Sequence, residues 1–127
     1  MNKSMLVGGV LGAAVAIAGG GIAGYKMLEE PKYAEVVAVM GRTDLSRGKA
    51  LAQEFGIAFV TERDKLIASR PDIVIEAASH AAVREHVEEL LSKGIAVVVL
   101  SAGALVDDRL RERLERASAR HRALLYV

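Results

Sequence analysis

From Glu35 onward, the hydrophobic positions switch repeatedly between a short continuous run and a helical stripe. Val36 to Met40 is an unbroken apolar run of strand length. It is followed by a helical stretch, Leu45 to Phe55, in which Ala50, Leu51, Glu54 and Phe55 fall on neighbouring turns, with Asp44 as its cap and Gly56 as its stop. Ile57 to Val60 predicts a second strand, and Glu62 to Ser69 a short helix capped by Thr61. Pro71-Asp72 punctuates the chain before Ile73-Val74-Ile75, a run suited to burial on both faces of a parallel sheet. Helix Ala81 to Lys93 places Val83, Val87, Leu90 and Leu91 on one stripe and ends at Gly94. Ala96 to Leu100 is the most hydrophobic strand, Asp107 to Arg120 the next helix, and Ala123 to Val127 a last strand. Strands alternating with helices predict right-handed crossovers and a doubly wound parallel sheet, an α/β fold.

In such sheets ligands sit beyond the carboxyl ends of the strands. That rule singles out Gly41-Arg42-Thr43, Ala77-Ala78-Ser79-His80 and Ser101-Ala102-Gly103-Ala104.

The first third of the chain has a different texture. Met5 to Gly24 contains no charged residue and is dominated by Gly and Ala. Two readings stand. In one, Val15 to Ala18 is a buried strand running into Gly19-Gly20-Gly21-Ile22-Ala23-Gly24, which satisfies G-x-G-x-x-G. Gly19 then makes the tight turn, Gly21 lets the backbone approach a pyrophosphate, and Gly24 permits close helix–strand packing. Ile22 and Ala23 contribute backbone to the same loop, and Tyr25 to Glu30 starts a helix that Pro31 keeps short. This reading makes residues 15–127 one Rossmann-type domain behind an apolar extension, residues 1–14. In the other, the segment is a hydrophobic anchor flanked by Lys3, since about 20 apolar residues cross a bilayer. Gly8 and Gly12, then Gly20 and Gly24, have the four-residue spacing that lets helices approach closely in lipid. The run MNKSMLVGGVLGAAVAIAGGGIAGYKMLEEPKYAEVVAV, Met1 to Val39, also resembles the start of bacterial glycine-zipper envelope proteins. Membrane contact through residues 1–24 therefore stays open.

Composition narrows the chemistry. The 127 residues are one domain's worth, and 52% hydrophobic with 26% charged residues is a globular balance. A net charge of +1 gives no broad electrostatic footprint for nucleic acid. There is no Cys, which removes disulfides, thiolate metal sites and a Cys nucleophile, and is compatible with the cytoplasm. His86 and His121 lack a second ligand at helical spacing, so no metal site is assigned. The Arg-rich stretch from Arg109 to Arg122 is interleaved with Asp107, Asp108, Glu112 and Glu115, the pattern of a solvated helix with i,i+4 pairs.

The segments Asp72-Ile73-Val74-Ile75-Glu76-Ala77-Ala78-Ser79, Ala82-Val83-Arg84-Glu85-His86 and Val97-Val98-Val99-Leu100-Ser101-Ala102-Gly103-Ala104-Leu105 resemble the N-terminal domain of L-aspartate dehydrogenase. The resemblance runs from about Glu35 to Val127. Val36 to Phe55 is similar, more remotely, to many other NAD(P)-dependent dehydrogenases. The resemblance implies an oxidoreductase that converts L-aspartate to iminosuccinate, and so to oxaloacetate and ammonia, with hydride passing to NAD or NADP. The family's Ser-Gly-Ala-Ile-Gly turn would begin past Val127, and its catalytic His lies in a following domain. The expectation is a cofactor half, inactive alone, with no catalytic residue assigned. An unpaired Ser101 to Leu105 surface would then favour homo-oligomers.

For the cofactor, an acidic residue at the end of the second strand usually binds a ribose 2′-hydroxyl, whereas Arg accommodates a 2′-phosphate. Here that strand end is Gly41-Arg42-Thr43, so NADP is expected over NAD, with Arg42 and Thr43 as the phosphate partners. A surface Arg that is merely solvated is the alternative. Ala78, Ser79 and His80 would face the ribose and nicotinamide, with Ser79 also able to cap the next helix. Ser101, Ala102 and Gly103 are small enough for close approach of a flat ring. Glu76 ends a buried strand and could bind either backbone amides or the ribose.

Overall fold

The computed structural model describes residues 11–17, 34–44 and 47–127 of the chain. Within these lie the strands β1 (Leu11–Ile17), β2 (Ala34–Met40), β3 (Ala58–Val60), β4 (Ile73–Ala77), β5 (Ala96–Val99) and β6 (Leu125–Tyr126). The helices are α1 (Arg47–Glu54), α2 (Arg63–Ala68), α3 and α4 (Asp108–His121). Helix α3 is made of His80–Ala82, a π-helical turn Val83–Val87, and Glu88–Ser92. All neighbouring strands pair in parallel, in the order β3-β2-β1-β4-β5-β6. This is the strand order of the dinucleotide-binding fold, with the chain reversing direction of travel across the sheet at β1 and β4.

The middle strand is the sharpest result of the fold. β1 begins at Leu11, four residues before the expected Val15, and pairs along its length with β2 on one side and β4 on the other. Ala and Gly favour strands weakly on their own, but pairing on both sides overrides that preference. Residues 11–17 are thus a central strand and not part of a membrane helix. Among the described residues no helix is long and apolar enough to cross a membrane. The G-x-G-x-x-G run, with Gly19, Gly21, Ile22, Ala23 and Gly24, lies outside the described residues, as does the short helix expected at Tyr25 to Glu30.

Side chains from both faces of the sheet are buried, which explains the near-continuous apolar strands. On one face Ala38, Met40, Val74, Val97 and Val99 pack with Leu66 of α2, Val83, Val87, Leu90 and Leu91 of α3, and Leu110 and Leu114 of α4. On the other, Val36 and Val39 meet Ala52, Leu51 and Phe55. Fully burying a Leu or Val contributes about 1.5–3 kcal/mol, so these layers dominate stability.

Several boundaries differ from expectation. α2 is preceded by Glu62, which makes no side-chain cap bond, so Thr61 is not its cap. α3 starts one residue early, at His80, because Ser79 Oγ accepts the amide of Ala82. Asp107 is the cap of α4, accepting the amides of Arg109 and Leu110, rather than its first residue. The last strand is only Leu125–Tyr126. Gly56 and Gly94 stop their elements at φ +67 and +77, conformations that exclude most side chains. On α4, Arg111 lies 3.2 Å from Asp108 and 3.7 Å from Glu115, while Arg113 reaches Glu88 of α3 at 3.5 Å.

Candidate functional site

The carboxyl ends of β4 and β5 are tied together by one carboxylate. Glu76 is 3% exposed. Its Oε2 accepts the amides of Ala78 (2.8 Å) and Ser79 (3.0 Å) and the hydroxyl of Ser101 (2.8 Å), and its Oε1 accepts the amide of Ser101 (3.0 Å). The Glu76 carbonyl takes the amide of Leu100 as well. A buried carboxyl group is tolerated when donors surround it, and this one accepts four hydrogen bonds. Glu76 therefore holds loop geometry. Of its two sequence readings, the bond to backbone amides is the one present.

That knot fixes the expected site residues on two adjacent loops. Ser79 and His80 are exposed at the start of α3, and Ala78 is half-buried. Ala102 and Gly103 are exposed in the turn Ala102–Val106 after β5. The two loops touch: a Cβ on Gly103 would lie 2.7 Å from Cε1 and Nε2 of His80, so the imidazole rests directly on the Gly103 backbone. Ala104, by contrast, is 1% exposed and belongs to the core. Within the expected Ser101 to Leu105 surface Ala102 and Gly103 are thus exposed and Ser101 and Leu105 half-exposed, and Leu100 (49%) and Val106 (84%) extend it on either side.

On the other side of β4, a cavity of about 290 Å³ opens between the ends of β2 and β4. Its walls include Gly41 and Arg42 after β2, Ala78 and Ser79 after β4, and Thr61 after β3. The floor is α3, through Ala82, Glu85 and His86. Thr43 is exposed next to Arg42 and lies outside these walls. Of the expected cofactor residues, Arg42, Ala78 and Ser79 thus share one cavity, while His80 and Gly103 form a second cluster beyond Glu76.

The sequence reading missed Glu85, His86 and Arg63 as parts of this region. Arg63 Nη1 donates to the Glu85 carbonyl at 2.7 Å and stands 3.5 Å from His86 Nδ1, while its buried Nε has no hydrogen-bond partner among the described residues. Burial of the ring pushes the His86 pKa down; the Glu85 carboxylate pulls it up and the Arg63 cation pushes it down. The hidden signal was the π turn. It adds a residue to the local repeat and shifts Glu85 and His86 relative to a regular helix.

Comparison with known proteins places this geometry. Residues 17–127 match the family described as the homoserine dehydrogenase NAD-binding domain. L-aspartate dehydrogenase 1 of Bordetella pertussis is 33% identical over 119 residues, covering 94% of this chain and 42% of that protein. The chain spans from 19% to 42% of the length of such curated relatives. Among solved structures, GenD2 from gentamicin A biosynthesis, in complex with NAD, superposes with a TM-score of 0.72 at 25% identity, covering 92% of this chain and 34% of that one. Biliverdin reductase from Synechocystis sp. PCC 6803, in complex with biliverdin and NADP+, gives 0.74 at 20% identity over 92% of this chain and 37% of that one. The strand order, the cavity at the strand ends and the sequence agree, and the chain belongs to this family of NAD-binding domains, in a form similar to the N-terminal domain of L-aspartate dehydrogenase.

Proposed function

We propose that this domain serves an L-aspartate dehydrogenase as its cofactor half and binds NADP(H) in preference to NAD(H). The observation that carries the preference is the cavity wall at the end of β2. Gly41 puts no carboxylate there to repel a phosphate, and Arg42 supplies a guanidinium beside it. The residues present fit the adenosine end of such a cofactor: the cation of Arg42, the hydroxyls of Thr61 and Ser79, the small side chains of Gly41, Ala78, Ala81 and Ala82, and the polar groups of Glu85 and His86 on the floor. A volume of about 290 Å³ sits at the lower edge of small-molecule pockets and suits one end of a dinucleotide. The pyrophosphate would be held by Gly19 to Gly24. Thr43 would join Arg42 at the 2′-phosphate.

Toward the nicotinamide end, His80, Ser101, Ala102 and Gly103 would form the surface on which the ring lies. Glu76 keeps Ala78, Ser79 and Ser101 in register for that contact. The bound cofactor would supply hydride chemistry. The substrate-side groups are assigned to none of residues 1–127, and on this reading the domain alone does not turn over aspartate.

The test is a pair of fluorescence titrations, with NADPH and with NADH. Arg42→Ala removes one charge-assisted contact, worth about 1.5–3 kcal/mol, or roughly 10- to 150-fold in affinity. NADPH should weaken by that factor and NADH by little. Equal losses for both cofactors would remove the NADP preference, and no saturable binding of either would remove the cofactor reading itself.

A further inference from the structure

The floor of the cavity carries a hydrogen-bonding pattern that a 2′-phosphate does not use. Glu85 and His86 are adjacent in the π turn of α3, with Glu85 Oε2 3.7 Å from His86 Nε2, and both line the cavity with Gly41, Arg42 and Ala78. Arg63 sets the chemistry of the ring. A guanidinium only donates, so the imidazole nitrogen facing it, Nδ1 at 3.5 Å, is the acceptor, and the ring proton sits on Nε2. Burial of the ring favours this neutral form. The Glu85 carboxylate opposes it and the Arg63 cation supports it. Arg63 is itself anchored to the Glu85 carbonyl at 2.7 Å, which holds the three groups as a unit. The outcome is an N–H donor beside a carboxylate acceptor.

Adenine presents the complementary edge, an acceptor ring nitrogen next to a 6-amino donor. A 6-oxo purine such as hypoxanthine presents the reverse, a ring N–H next to a carbonyl oxygen. We propose that His86 and Glu85 read the adenine base of the dinucleotide: His86 Nε2–H donates to a ring nitrogen, and Glu85 accepts from the 6-amino group. A 6-oxo purine would set N–H against N–H and oxygen against carboxylate. This rests on the reading that the cavity takes the adenosine end of the cofactor. A good bidentate contact to a base edge discriminates by roughly 5- to 150-fold. The Glu85 side chain is 71% exposed, so the low end applies, about 5- to 10-fold.

The experiment titrates the full chain with NADPH and with its hypoxanthine counterpart, reduced nicotinamide hypoxanthine dinucleotide phosphate, following nicotinamide fluorescence. The wild type should bind the adenine form about 5- to 10-fold more tightly. Glu85→Gln is isosteric at an exposed side chain and offers both a donor and an acceptor, so the ratio should fall to near one. Equal affinities in the wild type, or an unchanged ratio in Glu85→Gln, would overturn base recognition while leaving the cofactor reading intact. Failure of both dinucleotides to bind would overturn the two together.

Discussion

Replacing Glu76 tests the central structural claim, that one buried carboxylate fixes the geometry of the two loops that follow β4 and β5. In Glu76→Gln one oxygen becomes an NH2 group. If it takes the Oε1 position it opposes only the Ser101 amide; at Oε2 it opposes the amides of Ala78 and Ser79. The first orientation is therefore preferred. One charge-assisted hydrogen bond is lost there, leaving a buried amide unsatisfied at about 1–3 kcal/mol. The other three bonds become neutral, each weaker by about 1 kcal/mol. Burying a neutral amide costs less than burying a carboxylate, which returns part of that loss. The net expectation is about 2–4 kcal/mol, a large share of the roughly 5–15 kcal/mol that holds a domain together. Urea unfolding reads it directly. With a slope of about 1–3 kcal/mol per molar, the midpoint should fall by roughly 1–2 M without a change in slope. Glu76→Ala should fall further, since three backbone amides lose their acceptor. A midpoint for Glu76→Gln within about 0.3 M of wild type would refute the reasoning, because surface-like substitutions change stability by only about 0.5 kcal/mol.

Two further outcomes follow from individual contacts. Gly103→Ala places a methyl 2.7 Å from the end of an exposed imidazole, which can swing away. The cost should stay under about 1 kcal/mol and vanish in a His80→Ala background, and a double-mutant cycle in urea checks it. His86 has a folded-state pKa below its usual value of about 6.5, so the unfolded chain binds the proton more readily. Its contribution is present in full above about pH 6.5 and is lost as pH falls from there through the lowered folded value. Urea midpoints measured between pH 7.5 and 5 should therefore decline more steeply in wild type than in His86→Asn, and parallel curves would contradict the assignment.

How far the sequence carried the fold depended on what each signal measures. Apolar runs and helical stripes report burial: Val36 to Met40 is buried on both sheet faces, and in Ala96 to Val99 Val97 and Val99 are buried while Ala96 and Val98 are half-buried. The parallel, doubly wound arrangement was legible for that reason. Boundaries were less so, because caps depend on a single hydrogen bond: Ser79 and Asp107 accept one or two amides, whereas Thr61, an equally good capping type, does not cap α2. The start of β1 was hidden for a different reason. In an all-apolar Gly/Ala segment no periodicity distinguishes strand from helix, and pairing with β2 and β4 decides it.

The candidate site divides along the same line. Residues at strand ends follow from topology alone, so Arg42, Ala78, Ser79, Ser101 and Gly103 could be named before any coordinate. Groups that reach the site from a helix floor or from a neighbouring crossover could not. His86 looked isolated because one partner, Arg63, is 23 residues upstream and the other, Glu85, is the preceding residue in the same π turn. A π turn makes that neighbourhood, and no residue type in Val83-Arg84-Glu85-His86-Val87 announces one. Glu76 illustrates the converse. Its acid among β-strand apolar residues was visible, but whether it served loops or ligand depended on Ser101, 25 residues away. With all four donors supplied by the protein, this carboxylate is committed to the scaffold.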